Sequence, residues 1–339
     1  MSRLITRRQF GLSTTAMALN IWPMARALRA AAGAATEIRF AIALRAAFQS
    51  AAWIGTEAGI FRRHSIEVTF PTLEAGGPQA LAGTLRGEWD FCQTGDVPIV
   101  EAALQGQDPV LILTPTELHD GVFVMARRDI TKPEQLAGGR VGAVDAKGAF
   151  GTAIGPWLQK SGVSASVVSL GSFQAIYAAL AAGKVDAGYL PVDLRFRGEN
   201  EFSWNALHAL PTGSGGVVTT RRFITAKRGI VAEVVKGFLD SIHLFKTQPD
   251  IVIPLLQRFL QFSDRKGLEQ LHAFYVPLFR TVPRPTFFSE MQRLKDTFSK
   301  QYPAVQKLQL EDLYDSSFVD ELDRSGYIQR LYAGKTKLE

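Results

Sequence analysis

Short runs of β-branched and aromatic residues alternate with Ala- and Leu-rich stretches along most of this chain, and this alternation limits its fold more than any other feature. It predicts strands and helices in turn, as in open α/β sheets. A first series has strands at 39–44, 67–70, 90–93 and 110–114, separated by helices at 50–61, 78–86 and 98–104. A second series has strands at 121–126, 140–144, 166–170 and 186–190, with helices at 150–161 and 172–182. We therefore expect an α/β fold.

The two series share a pattern in which a glycine ends a helix and a strand follows. Residues 57–60 of the first series correspond to 160–163 of the second, and 87–90 correspond to 183–186. The pairs occur in the same order about a hundred residues apart. This suggests two lobes of similar build, although helix, glycine and strand follow one another often enough for chance to explain it.

The last part of the chain is predicted to be mainly helical. A strand at 216–222 is similar to the one at 121–127, and both are expected to cross between the lobes. Apolar residues then recur at a spacing of three and four, which predicts helices with one buried face. These helices, expected to pack on one lobe, are placed at 230–246, 251–261, 265–275 and 286–300.

The N-terminus has the three parts of a cleavable export signal. Arg7 and Arg8 precede an uncharged apolar stretch from Phe10 to Ala25, and small residues follow at 30–32. The stretch is shorter than the roughly 20 residues of a membrane span. The paired arginines resemble a twin-arginine signal. We expect cleavage near residues 32–35 and a mature protein in the periplasm, the alternative being an Ala-rich end that stays on the protein.

Removal of this signal changes the charge balance. The whole chain has 38 Lys and Arg against 32 Asp and Glu, but residues 1–35 contain five arginines and no acidic residue. The mature chain is left with 33 basic residues and a net charge of +1. A protein that binds nucleic acid needs a basic face that survives processing. We therefore expect no nucleic-acid partner.

The cysteine count and the catalytic motifs limit the chemistry. Cys92 is the only cysteine, so an intrachain disulfide and a multi-cysteine zinc site are excluded. The chain lacks the metalloprotease, phosphate-loop, nucleophile-elbow and dinucleotide motifs, and its five histidines show no metal-ligand spacing. We expect a protein that is not an enzyme and has neither cofactor nor metal.

The loops at the carboxyl ends of the strands are the predicted binding site, because open α/β sheets place ligands there. Arg45 and Lys147 would hold a negative group, assisted by the free N–H groups of a helix start at 148–152. Phe48, Phe150 and Phe173 would supply apolar walls. The remaining predicted site residues are Gln49, Thr94, Gly95, Gly148, Gly151, Thr152, Pro191 and Asp193, with His119 and Asp120 in the connection between the lobes.

Each of these loops, taken singly, is also explained as a turn with a helix cap. His119 and Asp120 also have two explanations: a polar turn, which is the commoner one, and a ligand contact or an acid–base pair. The shared position of the loops at strand ends favours the binding hypothesis.

Four motifs in a fixed order carry a family resemblance. They lie at 52–61, at 87–91 with Thr94 and Gly95, at 130–142 and at 181–187, within a region from 38 to about 300. In them the chain resembles extracytoplasmic solute-binding proteins of ABC importers, in the group that includes nitrate, taurine, aliphatic-sulfonate and thiamine-precursor binders. The resemblance implies a type II periplasmic-binding fold, in which two lobes close on a ligand by a hinge motion. It implies lobe I at 36–125 and 217–339, and lobe II at 126–216.

The resemblance also implies a function and leaves alternatives. It implies a monomeric receptor that passes a small polar or anionic organic solute to an ABC permease with its ATPase, touching the membrane only through the permease. Family members often carry Trp-Glu-Pro where this chain has Pro191 to Asp193, so the ligand class stays open among sulfonates, nitrate, aromatic carboxylates and pyrimidines. The alternatives are an enzyme on the same fold, of the thiamine-pyrimidine synthase or chorismate-dehydratase type, and a ligand sensor for a signalling partner.

Overall fold

The computed structural model describes residues 35–117, 121–146, 149–210, 215–286, 299 and 302–333, without the side chains of 149–153. The predicted export signal, the pair His119 and Asp120, the pair Lys147 and Gly148, and the predicted helix at 286–300, apart from residues 286 and 299, lie outside these residues.

The first of two sheets is built mainly from the N-terminal third of the chain. It has the strand order β2-β1-β3-β10-β4. β1 is parallel to β2 and β3, whereas β10 is antiparallel to β3 and β4. The strands are β1 (Thr36–Ile42), β2 (Ile66–Thr72), β3 (Phe91–Thr94), β4 (Pro109–Leu113) and β10 (Gly216–Thr220).

The second sheet repeats this plan with the order β7-β6-β8-β5-β9. Its strands are β5 (Val122–Ala126), β6 (Arg140–Ala143), β7 (Ser166–Ser169), β8 (Ala187–Pro191) and β9 (Asn205–Leu210). The sequence did not predict β9. The expected lobe boundary at residue 125 leaves β5 with the first lobe, but the antiparallel hydrogen bonds of β5 to β8 and β9 place it in the second sheet.

Helices lie between the strands, as the alternation predicted, and dominate the C-terminal third. The predicted helix at 230–246 forms the longer part of a helical segment that is kinked at Lys227, where the backbone is not helical (φ −141°, ψ 39°). The short helical part before the kink begins at Arg221, where Thr220 caps it by accepting a hydrogen bond from the Phe223 N–H. The helices are α1 (Ala51–Glu57), α2 (Ile60–Arg63), α3 (Gly77–Arg86), α4 (Asp96–Leu104), α5 (Ala149–Lys160), α6 (Phe173–Ala181), α7 (Val192–Phe202), α8 (Arg221–Thr247), α9 (Pro249–Leu260), α10 (Arg265–Tyr275), α11 (Ser317–Arg324) and α12 (Tyr327–Ala333).

The repeated aspartates at the start of β3 and β8 make equivalent contacts. The Asp90 Oδ2 accepts a hydrogen bond from the Arg39 N–H of β1 at 2.8 Å. The Asp186 Oδ2 accepts one from the Arg140 N–H of β6 at the same distance. The preceding glycines, Gly87 and Gly183, both have positive φ. The correspondence in the sequence is therefore a correspondence in structure as well.

The main core joins the first sheet to α8. Phe40 of β1 packs on Phe238 at 5.7 Å between ring centroids, and Phe61 meets the same ring at 5.6 Å. Residues Thr36–Glu339 form one compact unit. None of the helices in the described part of the chain has the length and apolar character needed to span a bilayer.

Candidate functional site

The loop after β1 forms one wall of the site. Its short 3-10 helix, Ala47–Gln49, is buried. The Gln49 Oε1 accepts a hydrogen bond from the Leu44 N–H at 3.0 Å, and the Phe48 carbonyl accepts one from the Gln93 Nε2 at 3.3 Å. Arg45 donates from Nη1 to the Phe259 carbonyl near the end of α9 at 3.2 Å. These bonds fix Phe48 and Gln49 beside the end of β3.

The end of β3 adds Thr94 and Gly95. The Thr94 hydroxyl is buried and donates to the Gly77 carbonyl at 3.1 Å. Gly95 is extended and immediately precedes α4, and a Cβ added there would meet no atom within 4 Å. Gly95 therefore leaves open space next to the free N–H groups at the start of α4.

The connection into β10 passes directly over this point. Gly215 has φ +55°, and a Cβ on it would lie 1.9 Å from the Thr94 carbonyl oxygen. Both the left-handed conformation and the close approach require glycine. The second crossing between the sheets is thereby held against the end of β3.

The second sheet contributes Pro191 and Asp193. Pro191 ends β8 and α7 follows at once, so the predicted loop is a strand-to-helix turn. Asp193 in the first turn of α7 is only 5% exposed. Burial raises its pKa to about 7, against the opposing effect of the backbone N–H groups of Asp193 and Leu194. Its Oδ1 has no hydrogen-bond partner among the described residues.

Helix α10 joins the two walls. It packs against α7 and against the 3-10 helix at Ala47–Gln49. The Asn200 Nδ2 of α7 donates to the Asp264 Oδ2 at 2.9 Å, just before α10 begins. Tyr275, the last residue of α10, is fully buried. Burial and then the charge of Asp193 raise the pKa of Tyr275 well above its usual value. Tyr275 and Asp193 are thus neighbours across the site.

The described part of the connection after β4, residues 114–117, packs against the segment that follows α10. The Glu117 N–H donates to the Leu278 carbonyl at 2.8 Å, and the Arg280 N–H donates to the Pro115 carbonyl at 2.9 Å, so Thr116 is held opposite Phe279. Phe279 also contacts the Tyr275 ring edge-on at 6.3 Å. Phe279 thus contacts both Thr116 and Tyr275, and β5 pairs with Pro191 immediately before α7.

Four side chains at these positions, which we call the buried polar set, share one property. Each is nine-tenths or more buried and has an oxygen without a hydrogen-bond partner in the described part of the structure: Gln93 Oε1, Thr116 Oγ1, Asp193 Oδ1 and Tyr275 OH. A buried polar atom left unpaired costs about 1–3 kcal/mol. Three of these atoms lie at or just after the ends of β3, β4 and β8, and the fourth lies at the end of α10. Buried unpaired polar atoms are suited to bind the polar atoms of a small molecule.

The structure places the predicted site residues unequally. It groups Phe48, Gln49, Thr94 and Gly95 at the first sheet, and Pro191 and Asp193 at the second. Phe173 is buried at the start of α6, and Gly151 lies in α5. Of Phe150 and Thr152, only the backbone in α5 is described. The sequence analysis missed Gln93, Thr116 and Tyr275, and only the position of Gln93 at the end of a predicted strand could have indicated it.

Solved structures share this architecture. The periplasmic aliphatic sulphonate-binding protein SsuA from Escherichia coli matches with a TM-score of 0.64 at 17% identity, covering 82% of this chain and 91% of that chain. The alkanesulfonate-binding protein SsuA from Xanthomonas axonopodis pv. citri, bound to MOPS, matches with a TM-score of 0.63 at 19% identity, covering 80% and 94%. A cysteine-to-serine mutant of DSZB in complex with biphenyl-2-sulfinic acid matches with a TM-score of 0.59 at 16% identity, covering 85% and 99%.

The chain therefore has the type II periplasmic-binding fold. The family described as NMT1/THI5 like matches residues 50–250, more than half of the chain, so this protein belongs to that family. No curated protein matches the chain.

Proposed function

We propose that this protein is an exported receptor that captures a small polar or anionic organic solute between its two sheets and delivers it to an ABC importer. The observation that carries the proposal is the buried polar set, in which Gln93, Thr116 and Asp193 lie at or just after the carboxyl ends of β3, β4 and β8 and Tyr275 lies at the end of α10. Polar groups of this kind gain hydrogen bonds from a bound solute that the protein itself does not supply.

The capture step in this proposal is a hinge motion of two lobes. One lobe consists of the chain up to β4 and from β10 onward, and the other consists of β5 to β9 with their helices. Two connections join the lobes, from β4 to β5 and from β9 to β10, and both lie beside the site. Rotation about two such connections opens and closes a cleft without disturbing either sheet.

Export and delivery follow from the predicted signal and the family. The mature chain begins near residues 32–35, is periplasmic and acts as a monomer. Its partners are the permease and the ATPase of the importer. The start of α5, with Lys147 and Gly148 before it, would hold an anionic group of the solute through its free N–H groups.

The likeness to DSZB raises an enzyme on this fold as the second candidate function. A cysteine nucleophile would have to be Cys92, the only cysteine of the chain. Cys92 is fully buried in β3, and burial raises the pKa of its thiol to about 12. A thiol in that state is not a reactive thiolate near neutral pH. This argues for binding rather than cysteine-based catalysis.

A thermal-shift screen of the mature chain against sulfonates, nitrate, aromatic carboxylates and pyrimidines tests the receptor function. A solute present at 100 times its dissociation constant adds about 2.7 kcal/mol to the free energy of unfolding. We expect at least one compound to raise the Tm by several degrees. Gln93→Met should weaken that compound's binding at least tenfold, whereas Gln105→Met, at an exposed glutamine beyond α4, should not. Turnover of any compound, or the absence of any stabilising compound, would contradict the proposal.

A further inference from the structure

Helix α10 follows α8 and α9 of the first lobe in the chain, but it lies alongside α7 of the second lobe. The two helices run in opposite directions. Asp193 at the start of α7 is near Tyr275 at the end of α10, and Asn200 near the end of α7 meets the residues where α10 begins. The lobes are therefore in contact along a helix pair as well as through the two connections between the sheets.

The contacts between these helices, which we call the α7–α10 seam, are partly open to water. The Asn200 Nδ2 donates to the Asp264 Oδ2 at 2.9 Å and to the Gln270 Oε1 at 3.2 Å, and Asn200 is exposed. The rings of Phe196 and Phe274 meet edge-on at 6.2 Å between centroids, and both residues are half-buried. Water can replace exposed hydrogen bonds of this kind, so the seam can part at a modest cost in free energy.

The attachment of α10 to the first lobe is more deeply buried than the seam. The His272 Nε2 donates to the Phe245 carbonyl of α8 at 2.7 Å, and the two rings stack at 5.0 Å between centroids. Lys246 donates to the Val276 and Phe279 carbonyls just after α10, both at 2.7 Å. His272 is only 7% exposed and Phe245 is fully buried. A relative motion of the lobes should therefore break the seam first and leave α10 on the first lobe.

One end of the seam contains two members of the buried polar set. Asp193 belongs to α7 and Tyr275 to α10, and the two residues are 5% and 0% exposed. The Asp193 Oδ1 and the Tyr275 OH are both closed to solvent while the helices lie side by side. Separation of the helices would expose these two oxygens.

We propose that the α7–α10 seam is a latch, which parts to admit a solute to the buried polar set and forms again when the lobes close on that solute. The inference rests on the receptor function proposed above and deepens it, because it identifies the contact between the lobes that must break. Without solute, the seam exchanges between a formed and a parted state, and a bound solute favours the formed one. Weakening the seam should therefore expose Tyr275 without unfolding either lobe.

Brief hydroxyl-radical oxidation of the mature chain, measured by mass spectrometry, tests the latch without any solute. Oxidation of Tyr275 reports on the seam, and oxidation of Tyr189, which is equally buried in β8, reports on unfolding of the second lobe. Phe196→Ala removes an edge-to-face ring pair and should raise Tyr275 oxidation roughly threefold or more, with Tyr189 unchanged. The matched control is Phe202→Ala, at an α7 phenylalanine whose described ring contacts stay within its own lobe.

Two further changes make the test independent of a single substitution. Asn200→Ala, at an exposed residue, removes the hydrogen bonds of the seam and should also raise Tyr275 oxidation. The pair Asn200→Cys and Gln270→Cys, joined by a short thiol cross-linker, should instead lower it below the wild-type value. Cys92 does not interfere because it is buried.

The outcomes separate the latch from the receptor function. Unchanged Tyr275 oxidation in Phe196→Ala and Asn200→Ala, an equal rise in Phe202→Ala, or a joint rise of Tyr189 and Tyr275 in both seam variants would overturn the latch. Each of these results leaves the receptor function standing, because solute binding is measured separately in the thermal-shift screen. If no compound of that screen stabilises the mature chain, the receptor function fails and the latch fails with it.

Discussion

At the scale of single residues, Asp193 departs furthest from the usual behaviour of its type. Carboxylates are almost never fully buried unless they are paired, because an ion loses its hydration on leaving water. Asp193 is buried without a described cation, and its pKa is raised to about 7. Burying an unpaired group costs free energy, and a bound hydrogen-bond donor would recover part of that cost. Groups with strongly shifted pKa values are found more often in functional sites than in cores.

The raised pKa of Asp193 predicts how stability depends on pH. Because the folded chain keeps this proton up to about pH 7 while the unfolded chain releases it near pH 4, the folded state binds more protons between these values. The free energy of unfolding should therefore fall as the pH rises from about 4 to 7, by up to about 4 kcal/mol for this group. Asp193→Asn should lack this part of the decline, so its stability relative to wild type should increase over the same range.

Urea unfolding at pH 4.5, 6 and 7.5 measures the effect. Asp129→Asn serves as the control, because it removes an exposed carboxylate and should follow the wild-type profile. Parallel profiles for wild type and Asp193→Asn would show that the Asp193 carboxyl is not buried in solution as it is in the structure.

At the scale of elements, the described residues of the two connections between the sheets pack against neighbouring backbone. Gly215 passes over the end of β3 so closely that a methyl group would meet the Thr94 carbonyl. Thr116 on the other connection is paired with Phe279. Gly215 therefore lies against the end of β3, and Thr116 lies opposite Phe279.

Gly215→Ala should be far more destabilising than Gly162→Ala. Both glycines have a positive φ, but only Gly162 has free space around an added methyl group. Gly162 has φ +66° and no atom within 4 Å of an added Cβ, so Gly162→Ala measures the left-handed strain alone, about 1–2 kcal/mol. Gly215→Ala adds a clash with backbone, and we expect a loss of about 3 kcal/mol or more. Chemical unfolding of both variants measures the difference. Equal losses would mean that the connection does not lie against Thr94 in solution.

The elements also show what the sequence could and could not predict. Strands β1 to β4 and the helices between them were predictable from local sequence. Their apolar residues form short runs in the strands and recur at a spacing of three and four in the helices. Helix α7 was not, because its sequence from Arg195 to Phe202 is rich in charge and lacks an apolar stripe. Its position depends on contacts with α10, such as that between Phe196 and Phe274, which lie far apart in the sequence.

The candidate site was predictable to a similar extent. Loops after strands were identifiable from local pattern, and these include Phe48, Thr94 and Asp193. Tyr275 lies in a helix that the spacing predicted correctly, but its approach to Asp193 depends on how α10 packs against the second sheet. Periodicity within a helix carries no information about which distant residue its end will meet.

At the scale of the whole molecule, the two sheets are copies of one plan. Each has four parallel strands and one antiparallel strand, which lies between the edge strand and the other three. Each also has the same contact of an aspartate with the N–H of an arginine, on β1 in the first sheet and on β6 in the second. Two similar bodies joined by two connections can rotate as units, which is the motion that the proposed function requires.

The distance between the two lobes, measured with and without solute, tests this central claim most directly. Arg63→Cys and Lys184→Cys place exposed thiols on the first and second lobe, while Cys92 stays unlabelled because it is buried and its thiol pKa is raised to about 12. The distance distribution between spin labels at 63 and 184 should narrow and shift by several ångströms when the best compound from the screen is added. An unchanged distribution with that compound bound would contradict closure of two lobes around a solute.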